Sequence, residues 1–129
     1  MHGAVARIYR VCHRERGHPH GGRGMLEVRA STTADLDSAA DCIATAFHGA
    51  DRTHAQVRDE VLESVGTDPF ASLSDLRVGI LDGEVVSALA ILPRPVHVGG
   101  AVLSMGGVAA VCTREAHRGK RYNTAVLRD

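Results

Sequence analysis

From Leu26 onward, apolar positions recur in two rhythms. Leu26-Glu27-Val28-Arg29 alternates with period two, the pattern of a half-buried strand, and Met25 directly before it reads as a candidate true start. Leu36, Ala39, Ala40, Ile43, Ala46 and Phe47 then fall on one stripe at helical spacing. Thr32 or Thr33 is placed to cap this helix, Asp35 suits its first turn, and His48-Gly49 ends it. A second helix begins at Thr53, where Gln56 three residues later completes a capping box. Its apolar positions are Val57, Val61, Leu62 and Val65, and Gly66 stops it.

The rhythm changes at Leu76. Leu76 to Leu81 is a strand run, and Asp82-Gly83 predicts a two-residue hairpin turn. Glu84 to Leu92 is the returning strand, which Pro93 and Pro95 are expected to stop. Val96–Val98 and Ala101–Ser104 around Gly99-Gly100 predict a second hairpin. Val108 to Val111 is wholly apolar, as expected of a strand covered on both faces. A last helix opens near Arg118–Tyr122. The order β–α–α–β–β–β–α predicts a mixed α+β (α/β) fold, a mostly antiparallel sheet with helices packed on it.

A chain of 129 residues supports one domain with one modest core. Aromatics are 3% and Trp is absent, so that core is built from Val, Leu, Ile and Ala. The net charge of zero hides an asymmetry. Residues 1–24 carry five arginines and one glutamate, net +4, and the remaining 105 residues are net −4. Residues 1–24 also lack an apolar period and are broken by Gly and Pro, which predicts a disordered basic extension ahead of a domain at 25–129. His13, His18, His20 and Cys12 lack zinc spacing, so no metal is expected. The acidic body and a single tail aromatic, Tyr9, argue against a nucleic-acid partner, and a basic-tail nucleic-acid binder is kept only as a remote alternative. No apolar run approaches the roughly 18 residues of a membrane helix, and no signal-peptide core is present. Cys12, Cys42 and Cys112 are odd in number without redox spacing, which points to a reducing cytoplasm rather than a disulfide framework. Cys112, on an apolar strand with no activating base in sight, reads as core filling and not as a nucleophile.

The densest chemistry lies at the end of the chain. Val111-Cys112-Thr113 leads into Arg114-Glu115-Ala116-His117-Arg118-Gly119-Lys120-Arg121-Tyr122-Asn123 and then Thr124. A strand feeding a basic loop at a helix N-terminus is suited to phosphate, because unpaired N–H groups and the dipole both favour an anion there.

These residues, in this element order, resemble the N-terminal half of a GCN5-related N-acetyltransferase. The likeness is nearest to the enhanced-intracellular-survival-type branch. It rests on Leu26-Glu27-Val28-Arg29, Ala46-Phe47, Gly106-Gly107-Val108, Val111-Cys112-Thr113 and the loop Glu115-Ala116-His117-Arg118-Gly119-Lys120, and it covers Leu26 to Asp129. The resemblance implies an acetyl-CoA-dependent acyltransferase acting on a primary amine of a small molecule or peptide, without metal. It implies that Arg118, Gly119, Lys120, Arg121, Tyr122, Asn123 and Thr124 hold the pyrophosphate. Val111, Cys112 and Thr113 would pair with the pantetheine, and a strand N–H would polarise the thioester. It also places Arg52 and His54 near amine entry, with Asp51 and Glu60 as contacts for a cationic substrate. The family motif is Arg/Gln-x-x-Gly-x-Gly/Ala, yet Arg121 and Asn123 stand at its small-residue positions. The family's next strand and its general acid and base lie further on than Asp129, so the expectation is a truncated domain whose catalytic residues are unknown. The alternative is a non-catalytic fragment with weak or no CoA binding. Its exposed sheet edge would offer a route to oligomers.

Overall fold

The computed structural model of the chain describes residues 7–10 and 24–129. Five strands form one antiparallel sheet in the order β1-β2-β3-β4-β5: β1 Arg7–Arg10, β2 Met25–Ala30, β3 Leu76–Leu81, β4 Glu84–Val98 and β5 Ala101–Thr113. Helices α1 Leu36–Phe47 and α2 His54–Thr67 follow β2, and α3 Tyr122–Arg128 follows β5. The mixed α+β architecture is as the pattern predicts. The tail differs in one place: Arg7–Arg10 pairs with β2 from Met25 to Val28. Two strand-favouring residues, Ile8 and Tyr9, are too short a run to show a period. The rest of the basic extension, including Cys12, His13, His18 and His20, lies outside the described residues.

The core has two halves, one on each face of the sheet. Ala39, Cys42, Ile43 and Ala44 of α1, with Val57 of α2, pack on Leu76, Val78, Ile80, Val85, Ala88 and Cys112. On the other face Tyr122 and Val126 of α3 cover Leu26, Val28, Leu81, Val86 and Leu89. Each fully buried aliphatic side chain stabilises the fold by about 1.5–3 kcal/mol. Helix α3 lies close above Gly79, where a Cβ would stand 3.1 Å from Val126 Cγ2. The helical stripe of α1 is shifted from expectation. Cys42 and Ala44 are buried, whereas Ala46 and Phe47 are exposed.

The cap of α2 and the turn before β4 are local and come out as the sequence implies, although α2 runs past Gly66 to Thr67. Thr53 N–H donates to Gln56 Oε1 at 2.8 Å and Gln56 N–H donates to Thr53 Oγ1 at 3.2 Å. Asp82 and Gly83 have φ of 51° and 81°, the left-handed pair that a tight hairpin requires. Pro93 and Pro95, however, do not end β4, which runs on to Val98. Pairing with β3 stops at Leu76↔Ala90, so beyond it β5 is the only strand that pairs with β4 among the described residues. Prolines two residues apart turn their nitrogens to the same side, and here that side carries no ladder. The predicted strands Glu84–Leu92 and Val96–Val98 are therefore one strand, β4, and with β5 they form a long arm turning at Gly99-Gly100. Arg94 anchors the arm, donating to Asp68 Oδ2 at 2.6 Å and lying 5.6 Å over the Phe70 ring.

The apolar run in β5 is also not covered on both faces. Val108 is 57% and Val111 42% exposed, and within β5 only Cys112 is buried. The run lies on the sheet's outer strand, where no further strand pairs with it among the described residues.

Arg29 joins β2 to the start of α1. Its Nη1 and Nη2 donate to Asp35 Oδ2 and Oδ1 at 2.5 and 3.0 Å, a bidentate pair. This hydrogen bonding holds the Asp35 carboxyl down at about 2, below its ordinary value. A lowered carboxylate stabilises the fold above its unfolded pKa, and the contribution is lost as pH falls from about 4 through the folded value. Asp35→Asn is expected to cost on the order of 1 kcal/mol at neutral pH after solvent screening. It should also flatten the fall of the urea midpoint between about pH 4 and pH 2.

Candidate functional site

Strand β5 reaches the loop through an irregular ladder. Ala90 pairs with Ala109 and Ala88 with Cys112, so Leu89 alone faces Ala110 and Val111. This is a β-bulge, and its first residue, Ala110, has φ of +52°. Beyond it, Arg114 N–H donates to Val86 O at 2.8 Å. Hydrogen bonding alternates along an antiparallel strand. Cys112 therefore turns its backbone toward β4, while Thr113 turns its own toward the open edge.

Two side chains reinforce the inward turn of Cys112. Its carbonyl accepts from Ser87 Oγ at 2.9 Å and from Asn123 Nδ2 at 3.0 Å. Asn123 Nδ2 also donates to Ser87 Oγ at 3.2 Å, and Ser87 is fully buried. Asn123, which stands where the motif calls for a small residue, thus ties α3 to the end of β5. The Cys112 thiol lies 3.7 Å from that of Cys42 in the core. That contact and burial push the Cys112 thiol up, so it stays protonated and fills space, as its setting in an apolar strand implies.

The loop then wraps over the strand end. Glu115–His117 forms a single 3-10 turn. Arg118 Nε reaches back to donate to Thr113 O at 3.3 Å. Gly119 has φ of +76° and Arg121 has φ of +62°. Arg121 caps α3 in the left-handed region, the conformation that glycine enters without a Cβ penalty. The side chains of Arg118 and Arg121 are exposed and Lys120 is half-buried, whereas Tyr122 is 1% exposed. Burial raises the Tyr122 phenol above its ordinary value.

A shallow cavity of about 260 Å³ sits at this loop. Seven of the ten expected residues line it: Thr113, Arg118, Gly119, Arg121, Tyr122, Asn123 and Thr124. Val111, Cys112 and Lys120 do not. His117 joins the lining, and Ser87 and Arg114 hold it from behind. The sequence assigns none of these three a site role, although His117 and Arg114 fall in the basic terminal segment and Ser87 is a lone hydroxyl within the apolar run Val85–Leu89. A wider hollow of about 410 Å³ on the arm, between Phe70, Pro93, Arg94, Val102 and Leu103, has its cation Arg94 already paired with Asp68 and suits chemistry less well. The residues expected near amine entry are engaged with neighbours. Arg52 Nη1 lies 2.7 Å from Glu60 Oε2, and His54 Nε2 lies 3.2 Å from Asp41 Oδ1. No group of three or more metal-ligating side chains occurs among the described residues, and no helix there is long and apolar enough to cross a membrane.

Two substitutions test this geometry. Arg121→Gly should raise stability by about 0.5–1 kcal/mol, as relief of the left-handed strain exceeds the entropy that glycine adds to the unfolded chain. Asn123→Ala should lower it by about 1 kcal/mol, since the Cys112 carbonyl and Ser87 hydroxyl lose a donor. Urea unfolding of both variants beside the wild type measures each change.

Comparison with known proteins places this arrangement. The chain resembles a GCN5-related N-acetyltransferase from Kribbella flavida, with 25% identity and a TM-score of 0.60, over 81% of this chain and 26% of that one. It resembles a conserved protein of Enterococcus faecalis V583, described as a probable N-acyltransferase, with 17% identity and a TM-score of 0.58, over 76% and 23%. It also resembles an acetyltransferase of Trypanosoma brucei, with 15% identity and a TM-score of 0.53, over 81% and 70%. The last two likenesses concern the fold alone, and the chain spans about a quarter of the length of the first two proteins. A search of curated proteins returns no match. The family description "Acetyltransferase (GNAT) domain" matches residues 27–129, most of the chain. The protein whose β5 end, basic loop and α3 have just been described therefore belongs to the GNAT acetyltransferase domain family.

Proposed function

We propose that this chain contributes the acetyl-CoA-binding part of an N-acetyltransferase that acts on a primary amine of a small molecule or peptide. The observation that carries the reading is the cavity at the end of β5, where the loop Arg118–Thr124 brings its cations and backbone to one place. The donor set suits a pyrophosphate. Arg118 and Arg121 are exposed on the loop, and a Cβ built at Gly119 meets nothing within 4 Å, so the backbone is open to close approach. Kinship with the enhanced-intracellular-survival-type branch, drawn from Gly106-Gly107-Val108 and Val111-Cys112-Thr113, is part of the same reading.

Bound acetyl-CoA supplies an activated acetyl thioester. The chain's residues bind and orient it. Arg118, Lys120 and Arg121 offset phosphate charge. The outward backbone of Thr113 gives the pantetheine a strand edge to pair with. The bulge at Ala110 breaks the regular ladder just before that edge, which frees strand N–H groups to polarise a carbonyl. Cys112 takes no covalent part, and the acetyl group passes directly to the amine.

A second reading is favoured by one observation. Arg121 holds a left-handed conformation with a side chain at the place where the motif has glycine. In that reading the chain binds CoA weakly and does not turn over by itself.

Calorimetry with acetyl-CoA is the test. Binding is expected, and Arg118→Ala should weaken it by about three- to tenfold, with the loss shrinking at high salt. No heat at millimolar ligand from folded protein would sink the cofactor assignment. Thiol release over a panel of amines separates the two readings. Turnover favours the enzyme, and Cys112→Ala should retain that turnover in full.

A further inference from the structure

Arg114 lies one residue past β5, where the strand becomes the basic loop, and its side chain is only 17% exposed. Its guanidinium reaches two elements at once. Nη1 donates to Asp41 Oδ2 of α1 at 2.8 Å and Nη2 to Ser38 O at 3.3 Å. Nε donates to Val85 O of β4 at 2.8 Å and stands 2.9 Å from Glu84 Oε1. The backbone joins in: Arg114 N–H donates to Val86 O at 2.8 Å, and His117 N–H donates to Arg114 O at 2.9 Å. Ser38 Oγ in turn accepts from Val85 N–H at 3.0 Å, so α1 and β4 are already fastened where the guanidinium lies.

A planar fork of donors is needed for this set of partners, because a lysine ammonium presents a point charge and cannot meet both elements at these angles. The loop that follows opens on the 3-10 turn Glu115–His117, and the His117 ring stands 5.9 Å from that of Tyr122. The loop's glycine and its left-handed arginine both lie downstream, Arg118 Nε reaches back to the Thr113 carbonyl, and Arg114 is the residue that ties the loop's start to α1 and β4. Holding several backbone donors in one geometry before a ligand arrives is what reduces the ordering cost of binding.

We propose that Arg114, held by Asp41, is a positioning residue that pre-orders the loop Glu115–Asn123 for the pyrophosphate of acetyl-CoA. This deepens the binding role proposed above and rests on it. Arg114 itself does not touch the ligand. It anchors the start of the loop to α1 and β4, while Asn123 anchors the end to β5. Asp41 also receives His54 of α2 on its other oxygen, at 3.2 Å, so the same carboxylate links the loop to the start of α2.

The test compares wild type, Arg114→Lys and Asp41→Asn as full chains, with folding checked by circular dichroism. Calorimetry is run with acetyl-CoA and with S-acetylpantetheine, which lacks the pyrophosphate. Arg114→Lys should weaken acetyl-CoA by about tenfold and leave S-acetylpantetheine within about twofold, and Asp41→Asn should weaken acetyl-CoA by about threefold. Without ligand, amide exchange at residues 118–123 should speed up by about tenfold in Arg114→Lys, with core amides of β3 unchanged. A general loss of structure would weaken both ligands and speed exchange everywhere, and that result overturns the inference. Unchanged acetyl-CoA binding or unchanged loop exchange in folded Arg114→Lys overturns it as well. Where Arg114→Lys does not fold, Asp41→Asn carries the same comparison. Wild-type protein that binds neither ligand overturns the parent reading and this one with it. Wild-type binding unaffected by either variant overturns this inference alone.

Discussion

Strand β4 pairs with β5 from Ser87 to Val98, and the rest of the molecule is arranged around that ladder. Near the chain's middle, β4 is shared with β3 and lies between the α1–α2 face and the α3 face of the core. Past Ala90 it pairs, among the described residues, with β5 alone, so the two strands leave the body as an arm. At the other end, the register from Ala90↔Ala109 to Ala88↔Cys112 absorbs one extra residue. The shift decides which backbone groups of β5 face inward and which face the open edge. A one-residue slip would reverse that choice for every residue between the bulge and the loop.

The site inherits its geometry from this ladder. Cys112 is turned into the core and held there by Ser87 and Asn123, so Thr113 presents its backbone outward. Arg114 then clasps α1 and β4, and the loop spans the gap to α3. α3 is fixed by Tyr122 and Val126, which are buried against Leu26, Val28 and Leu89. The hydrophobic contacts thus set where the loop's far end lies, and the polar contacts set its shape. Both are needed because a loop rich in cations repels itself and, before Tyr122, has little apolar surface to bury.

The two departures from the acetyltransferase motif acquire different meanings. Asn123 has a structural task, since its amide bridges α3 to Cys112 and Ser87. Arg121 has none that the structure explains, and its positive φ shows that the backbone still takes the shape a glycine would allow. One substitution was accommodated by new hydrogen bonds, and the other by strain.

Much of this was legible in the chain itself. The capping box at Thr53 and Gln56, the turn at Asp82-Gly83 and the helical spacing of Ala39, Ala40 and Ile43 depend on neighbours a few residues apart, so local chemistry determines them. The basic loop and the strand before it could be found for the same reason. Long-range contacts decided the rest. Pro93 and Pro95 read as strand breakers until the structure leaves their side of β4 without a partner. Val108 to Val111 reads as a buried strand until the structure places it on the outer edge. Ser87 and Arg114 are unremarkable as letters, because their partners Cys112, Asn123, Asp41 and Ser38 lie 25 to 76 residues away in all but name. A period along the chain reveals which face of an element is apolar, but only tertiary packing decides whether another element arrives to cover it.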